Sequence, residues 1–173
     1  PFTISYGASY SYVKTNNYQL QDMTSSTEIQ SPILSSSKEH TADGYVGISG
    51  SLWKGKLSYD ASVKYEYYKI NDYRKNTFMP NMSLTWKLVP SHTLMLSYNT
   101  YRIYPSYWNL QDYKQQSDEY VWVYGNPDLK PVTYRNLNLT WLIQNRYTLS
   151  VLYYRISNFF QSQSFQSPDE LKL

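Results

Sequence analysis

Apolar and polar side chains alternate along most of this chain, the period that sends successive residues to opposite faces of a strand. The first run sets Ile4, Tyr6, Ala8, Tyr10 and Tyr12 against Ser5, Gly7, Ser9 and Ser11. A second sets Val46, Ile48, Gly50 and Leu52 against Tyr45, Gly47, Ser49 and Ser51. The third is the clearest: Leu57, Tyr59, Ala61, Val63, Tyr65 and Tyr67 against Ser58, Asp60, Ser62, Lys64, Glu66 and Tyr68. Further runs centre on Met82-Leu84-Trp86-Leu88, Leu94-Leu96-Tyr98, Leu137-Leu139-Trp141 and Tyr147-Leu149-Val151-Tyr153. Together they predict an all-β chain, an antiparallel up-and-down meander of about seven long strands. Each predicted strand has roughly ten residues, the length a tilted strand needs to cross a bilayer. Soluble sheets more often use strands of about five or six.

The predicted connections alternate too. Lys54-Gly55, Val89-Pro90-Ser91 and Gln144-Asn145-Arg146 read as tight turns. Between them fall longer stretches, about 15–43 (Ser-rich), 71–77 and 104–132. Short turns at one end and long loops at the other describe a transmembrane β-barrel wall. Trp53, Trp86, Trp141 and Tyr147 sit beside the predicted turns, and Tyr10, Tyr12, Tyr65, Tyr67 and Tyr153 toward the loops. Two such groups are what aromatic girdles at the two membrane interfaces require. The competing architecture is a secreted, soluble β-sandwich that presents aromatic loops to carbohydrate.

Composition narrows the chemistry. Of 173 residues, 21 are Tyr, 5 Trp and 5 Phe, and there is no Cys. Disulfides, thiolate metal sites and thiol nucleophiles are thereby excluded. His40 and His92 have no carboxylate company at ligand spacing, so no metal and no cofactor is expected. Mean hydropathy is −0.62, and no run approaches the roughly 18 apolar residues of a transmembrane helix. A barrel averages out as polar, so that value leaves a membrane protein open. The net charge of +3 is scattered without a basic block, which gives nucleic acid no electrostatic footprint. Neither a Gly-x-Ser-x-Gly turn nor a phosphate loop is present, and no enzyme is expected.

Two elements carry a family resemblance. One is Tyr101-Arg102-Ile103-Tyr104-Pro105-Ser106-Tyr107; the other is Gly125-Asn126-Pro127-Asp128-Leu129-Lys130-Pro131. The pair resembles a signature of TonB-dependent receptors and related outer-membrane β-barrel proteins of Bacteroidetes type. Lys64-Tyr65-Glu66 and Phe78-Met79-Pro80 are similar to that family's Arg-Tyr-Glu strand end and the Phe-Pro that opens the next strand. Tyr104 stands where the family often has a second Arg, and Val132 where it often has Glu. The resemblance implies a pore-forming barrel in the outer membrane of a Gram-negative bacterium, importing a glycan, peptide or metal chelate. It also implies coupling to a TonB-type energising complex through a plug domain. Residues 1–173 would then be a partial barrel domain, with neither plug nor signal peptide in the chain. Its expected partners are outer-membrane lipid and the remaining strands and plug of the same barrel, or strands from another copy. Asp60, Lys64, Glu66 and Lys87 fall on the polar phase, as lumen-facing candidates. Tyr107, Trp108, Tyr113, Tyr120, Trp122 and Tyr124 crowd the 104–132 loop, either as ligand contacts or as its own packing. The heptapeptide from Gly125 is turn chemistry, which either shapes the loop alone or makes it a ligand contact or a lid over the lumen.

Overall fold

A computed structural model describes residues 2–19, 33–111, 115–118 and 121–165. Seven long strands form one antiparallel sheet: β1 (Phe2–Gln19), β2 (Ile33–Leu52), β3 (Leu57–Ile70), β4 (Tyr73–Val89), β5 (His92–Ile103), β8 (Val132–Ile143) and β9 (Tyr147–Ser157). Two short strands, β6 (Gln115–Asp118) and β7 (Val121–Val123), pair with each other inside the loop between β5 and β8. The sheet order is β1-β2-β3-β4-β5-β8-β9, the expected meander. The described residues form no second sheet packed on the first, so the sandwich is not the architecture found. No helix among them is long and apolar enough to cross a membrane.

Register turns the alternation into faces. Ile4, Ile48, Ala61, Met82, Tyr98, Leu137 and Tyr153 stand opposite one another across all seven strands. The next row on that face runs Phe2, Gly50, Tyr59, Leu84, Leu96, Leu139 and Val151. Between them lies Thr3, Ser49, Asp60, Ser83, Ser97, Asn138 and Leu152, polar except at the last strand. A one-residue slip would interchange the two faces, so this agreement fixes the register. The apolar face is uncovered: Ile4, Tyr6, Val46, Ile48, Leu139 and Val151 are all exposed. Burying such a surface is the strongest driving force available to the sheet, and a surrounding apolar phase would do it.

The tight turns fall where expected. Trp53, Lys54 and Gly55 all take positive φ between β2 and β3, as do Gln144 and Asn145 between β8 and β9. A β-bulge between Lys87 and Val89 leads into the Pro90-Ser91 turn. At the other end the strands run further than the sequence suggests. The expected connection at 71–77 is a two-residue turn, Asn71-Asp72. Asn71 N–H donates to Lys38 O at 3.1 Å, and Lys38 N–H donates to Asn71 Oδ1 at 3.3 Å, which fastens this turn to β2. Likewise β1 continues to Gln19 and β2 begins at Ile33, well inside the predicted 15–43 loop. These extensions are rich in polar residues and so read as loop; the ladder forms regardless of polarity.

Candidate functional site

The interior chemistry collects on the polar face at the loop end. Glu66, only 2% exposed, accepts from Arg102 Nη1 at 3.1 Å and from the Tyr104 hydroxyl, while Lys64 Nζ lies 3.3 Å from its other oxygen. Arg102 also donates to Thr77 Oγ1 at 3.2 Å. Its guanidinium lies 5.9 Å from the ring centre of Tyr68 and 5.6 Å from that of Tyr104, whose rings are themselves 4.4 Å apart. A buried carboxylate requires this company, because desolvating an unpaired charge costs several kcal/mol. Burial and then the Glu66 carboxylate raise the Tyr104 phenol above its ordinary range, so it stays protonated and remains a donor.

Arg102 reaches this position against simple alternation. Counting by twos from Tyr98 puts it on the apolar phase. The β4–β5 ladder, however, stops at the pair Met82–Tyr98. Pro80 has no N–H to continue it, and the Asn81 side chain accepts the Thr100 N–H at 2.9 Å instead. Above that seam β5 pairs with β8 alone, and Arg102 stands over the polar face against Glu66.

Pro105, which is buried, leads from this network into the long loop. Ser106 caps a short 3₁₀ helix at Tyr107–Leu110, accepting the Asn109 N–H at 3.3 Å. The heptapeptide fastens to that helix. Asn126 N–H donates to Asn109 O at 2.7 Å, and Asn126 Oδ1 accepts the Asp128 N–H at 2.9 Å. Leu129 N–H closes the turn on Asn126 O at 3.3 Å. A Cβ at Gly125 would stand 2.5 Å from Asn109 O, so only glycine permits this approach. Pro131 is fully buried, its carbonyl accepting from Asn158 Nδ2 at 3.3 Å, and Lys130 is exposed beside it.

Of the aromatic candidates, Trp108 and Tyr124 are exposed at 60% and 61%. Tyr107 and Trp122 are half-buried, and the Tyr107 ring meets Trp108 edge-on at 5.5 Å. Tyr113 and Tyr120 lie outside the described residues. Among the polar-face candidates, Lys64 and Glu66 come together, whereas Asp60 and Lys87 sit apart toward the turns, both exposed. Among the described residues no cluster of three or more His, Asp or Glu could hold a metal. The sequence reading missed Tyr68, Thr77 and Tyr104 as members of the network. One available signal was the lone acid of the third strand's upper end, Glu66, which needs a buried cation.

The architecture and the sequence now agree on what this sheet is. Its apolar face, its long strands and its turn-side tryptophans (Trp53 and Trp86, ring centres 6.1 Å apart) are features of a membrane-spanning barrel wall. No curated protein matches the sequence. The model of the outer membrane protein beta-barrel family matches it over residues 1–173. The chain therefore belongs to that family, and its place is the lipid of a Gram-negative outer membrane.

Proposed function

We propose that this chain forms part of the pore wall of an outer-membrane receptor of the TonB-dependent type, taking up a nutrient too large for a simple porin. The observation that carries this reading is the loop between β5 and β8. It presents Trp108 and Tyr124 to solvent from a base locked by Arg102–Glu66 and the Asn109–Asn126 bond. Rigid aromatic rings on a fixed scaffold capture ligands at small entropic cost. Sugars and apolar chelates are the substrate classes such rings suit.

Seven antiparallel strands leave β1 and β9 parallel, so the two edges do not close an up-and-down barrel directly. Further strands complete the wall, and a plug within it makes the contact with the energising complex. In this reading the chain has no catalytic part. Replacing Trp108 and Tyr124 with Ala in the intact protein should weaken substrate uptake at least about tenfold while barrel heat stability is kept. Uptake that survives both the double substitution and removal of the energising complex would reject the proposal.

A further inference from the structure

The carboxylates of β1–β4 are confined to the inward face, and the outward face carries a basic patch just above the apolar band. Continuous register from β1 to β4 places every residue of this region. All four carboxylates of these strands, Glu39, Asp43, Asp60 and Glu66, belong to the polar, inward phase. At the loop end the opposite phase holds Tyr12, His40, Lys69 and Arg74 in one row, and Lys14 opposite Lys38 in the next. That phase is the one facing lipid lower down, as the Tyr65–Phe78 ring contact at 4.9 Å shows. His40 confirms it, accepting or donating to Tyr10 OH at 2.9 Å and lying 4.7 Å from the Tyr12 ring. Lys14, Lys38, Lys69 and Arg74 are all exposed.

Height fixes what this patch meets. From Leu57 beside the turn to Tyr67, strand rise and tilt give roughly 25 Å, the height of the lipid-facing band of such barrels. Lys69 and Arg74 lie one row above Tyr67, at headgroup level. Two pairs, Lys14–Lys38 and Lys69–Arg74, set like charges directly opposite on neighbouring strands, an arrangement that destabilises a sheet unless an anion lies between. Both ion pairs formed among the described residues are at Glu66, on the other face. Asp72, in the β3–β4 turn, is the carboxylate adjoining the patch.

We infer that this patch binds the phosphorylated headgroup of an outer-leaflet lipid. Four strands about 4.8 Å apart spread the cations over a width that suits a headgroup bearing more than one phosphate. Tyr12, in the row of Lys69 and Arg74, and Tyr10, one row beneath, sit at the interface, where the rings meet the sugar or glycerol of that lipid. The contact ties the wall's upper rim to the leaflet and fixes its depth.

Native mass spectrometry of the intact protein in neutral detergent tests this, with bisphosphorylated lipid A, its dephosphorylated form and inorganic phosphate as probes. A Lys14→Gln/Lys38→Gln/Lys69→Gln/Arg74→Gln variant should retain about tenfold less of the phosphorylated lipid than wild type. An equal loss of charge elsewhere, at Lys54, Lys56, Lys75 and Arg146, should leave retention as it was. Because the patch variant relieves two facing like-charge pairs, it should melt no lower than wild type without lipid. If it does not fold, the Lys38→Gln/Arg74→Gln variant should give an intermediate loss. Equal retention by patch and control variants would overturn the inference. So would equal binding of the dephosphorylated lipid, or displacement of the lipid by inorganic phosphate alone.

Discussion

Glu66 shows how one buried residue organises the loop end of this sheet. Its carboxylate is shared by Arg102, Tyr104 and Lys64, and the Arg102 side chain is as buried as its own, at 2% against 3%. Replacing a buried ion pair with apolar side chains can be neutral, but removing one partner strands the other. Glu66→Ala should therefore lower the unfolding free energy by about 3–5 kcal/mol in micelles, with Arg102 left uncompensated. Lys64→Ala, whose side chain is 37% exposed, should have a much smaller effect. Equal melting of Glu66→Ala and wild type would show that water replaces the carboxylate.

At the scale of the element, β3 displays the two environments in adjacent positions. Val63 is exposed in the row with Tyr6, Val46 and Pro80, whereas Ser62 is half-buried beside Gly47 and Asn81. Val63→Arg carries a charge into hydrocarbon and should destabilise by about 2–4 kcal/mol near the bilayer midplane. Spin labels at 61 and 63 should be quenched by lipid-soluble oxygen, and labels at 60 and 62 by a water-soluble reagent. Shielding of 61 and 63 from both quenchers would mean that protein, not lipid, covers the apolar face.

The whole molecule has an orientation that follows from where its turns and loops lie. The Trp53–Lys56, Pro90–Ser91 and Gln144–Arg146 turns share one end, and the long loop, with its exposed Asp128, occupies the other. Short turns of such barrels face the periplasm, so the loop faces the outside of the cell. An Asp128→Cys variant should react with a membrane-impermeant thiol reagent on intact cells. Reaction only after the outer membrane is opened would invert the orientation. In the same cells the protein should change its mobility on SDS gels when boiled, since a hydrogen-bonded wall resists detergent until heated.

Much of this was legible in the residues themselves. Alternation named the strands and their faces, because the side-chain period of a strand is two whatever surrounds it. Turn residues such as Lys54-Gly55 and Asn145 marked the short connections, since few side chains accept positive φ. Gly125 to Pro131 could be recognised as turn chemistry, but not its partner: Asn126 N–H donates to Asn109 O, beside a Gly125 too close to Asn109 for a Cβ. Where strands end was not legible: 71–77 is mostly polar, and polarity alone does not distinguish a strand from a loop. Nor could sequence bring Arg102 to Glu66, 36 residues apart and on nominally opposite phases. That meeting depends on a seam opening between β4 and β5 at Pro80-Asn81, a matter of which backbone donors find partners. The basic rows above the aromatic band are likewise a tertiary product, for Lys14, Lys38, Lys69 and Arg74 become neighbours only once three hairpin registers are set. Local periodicity determines the faces of a strand; only pairing between strands determines which charges share one.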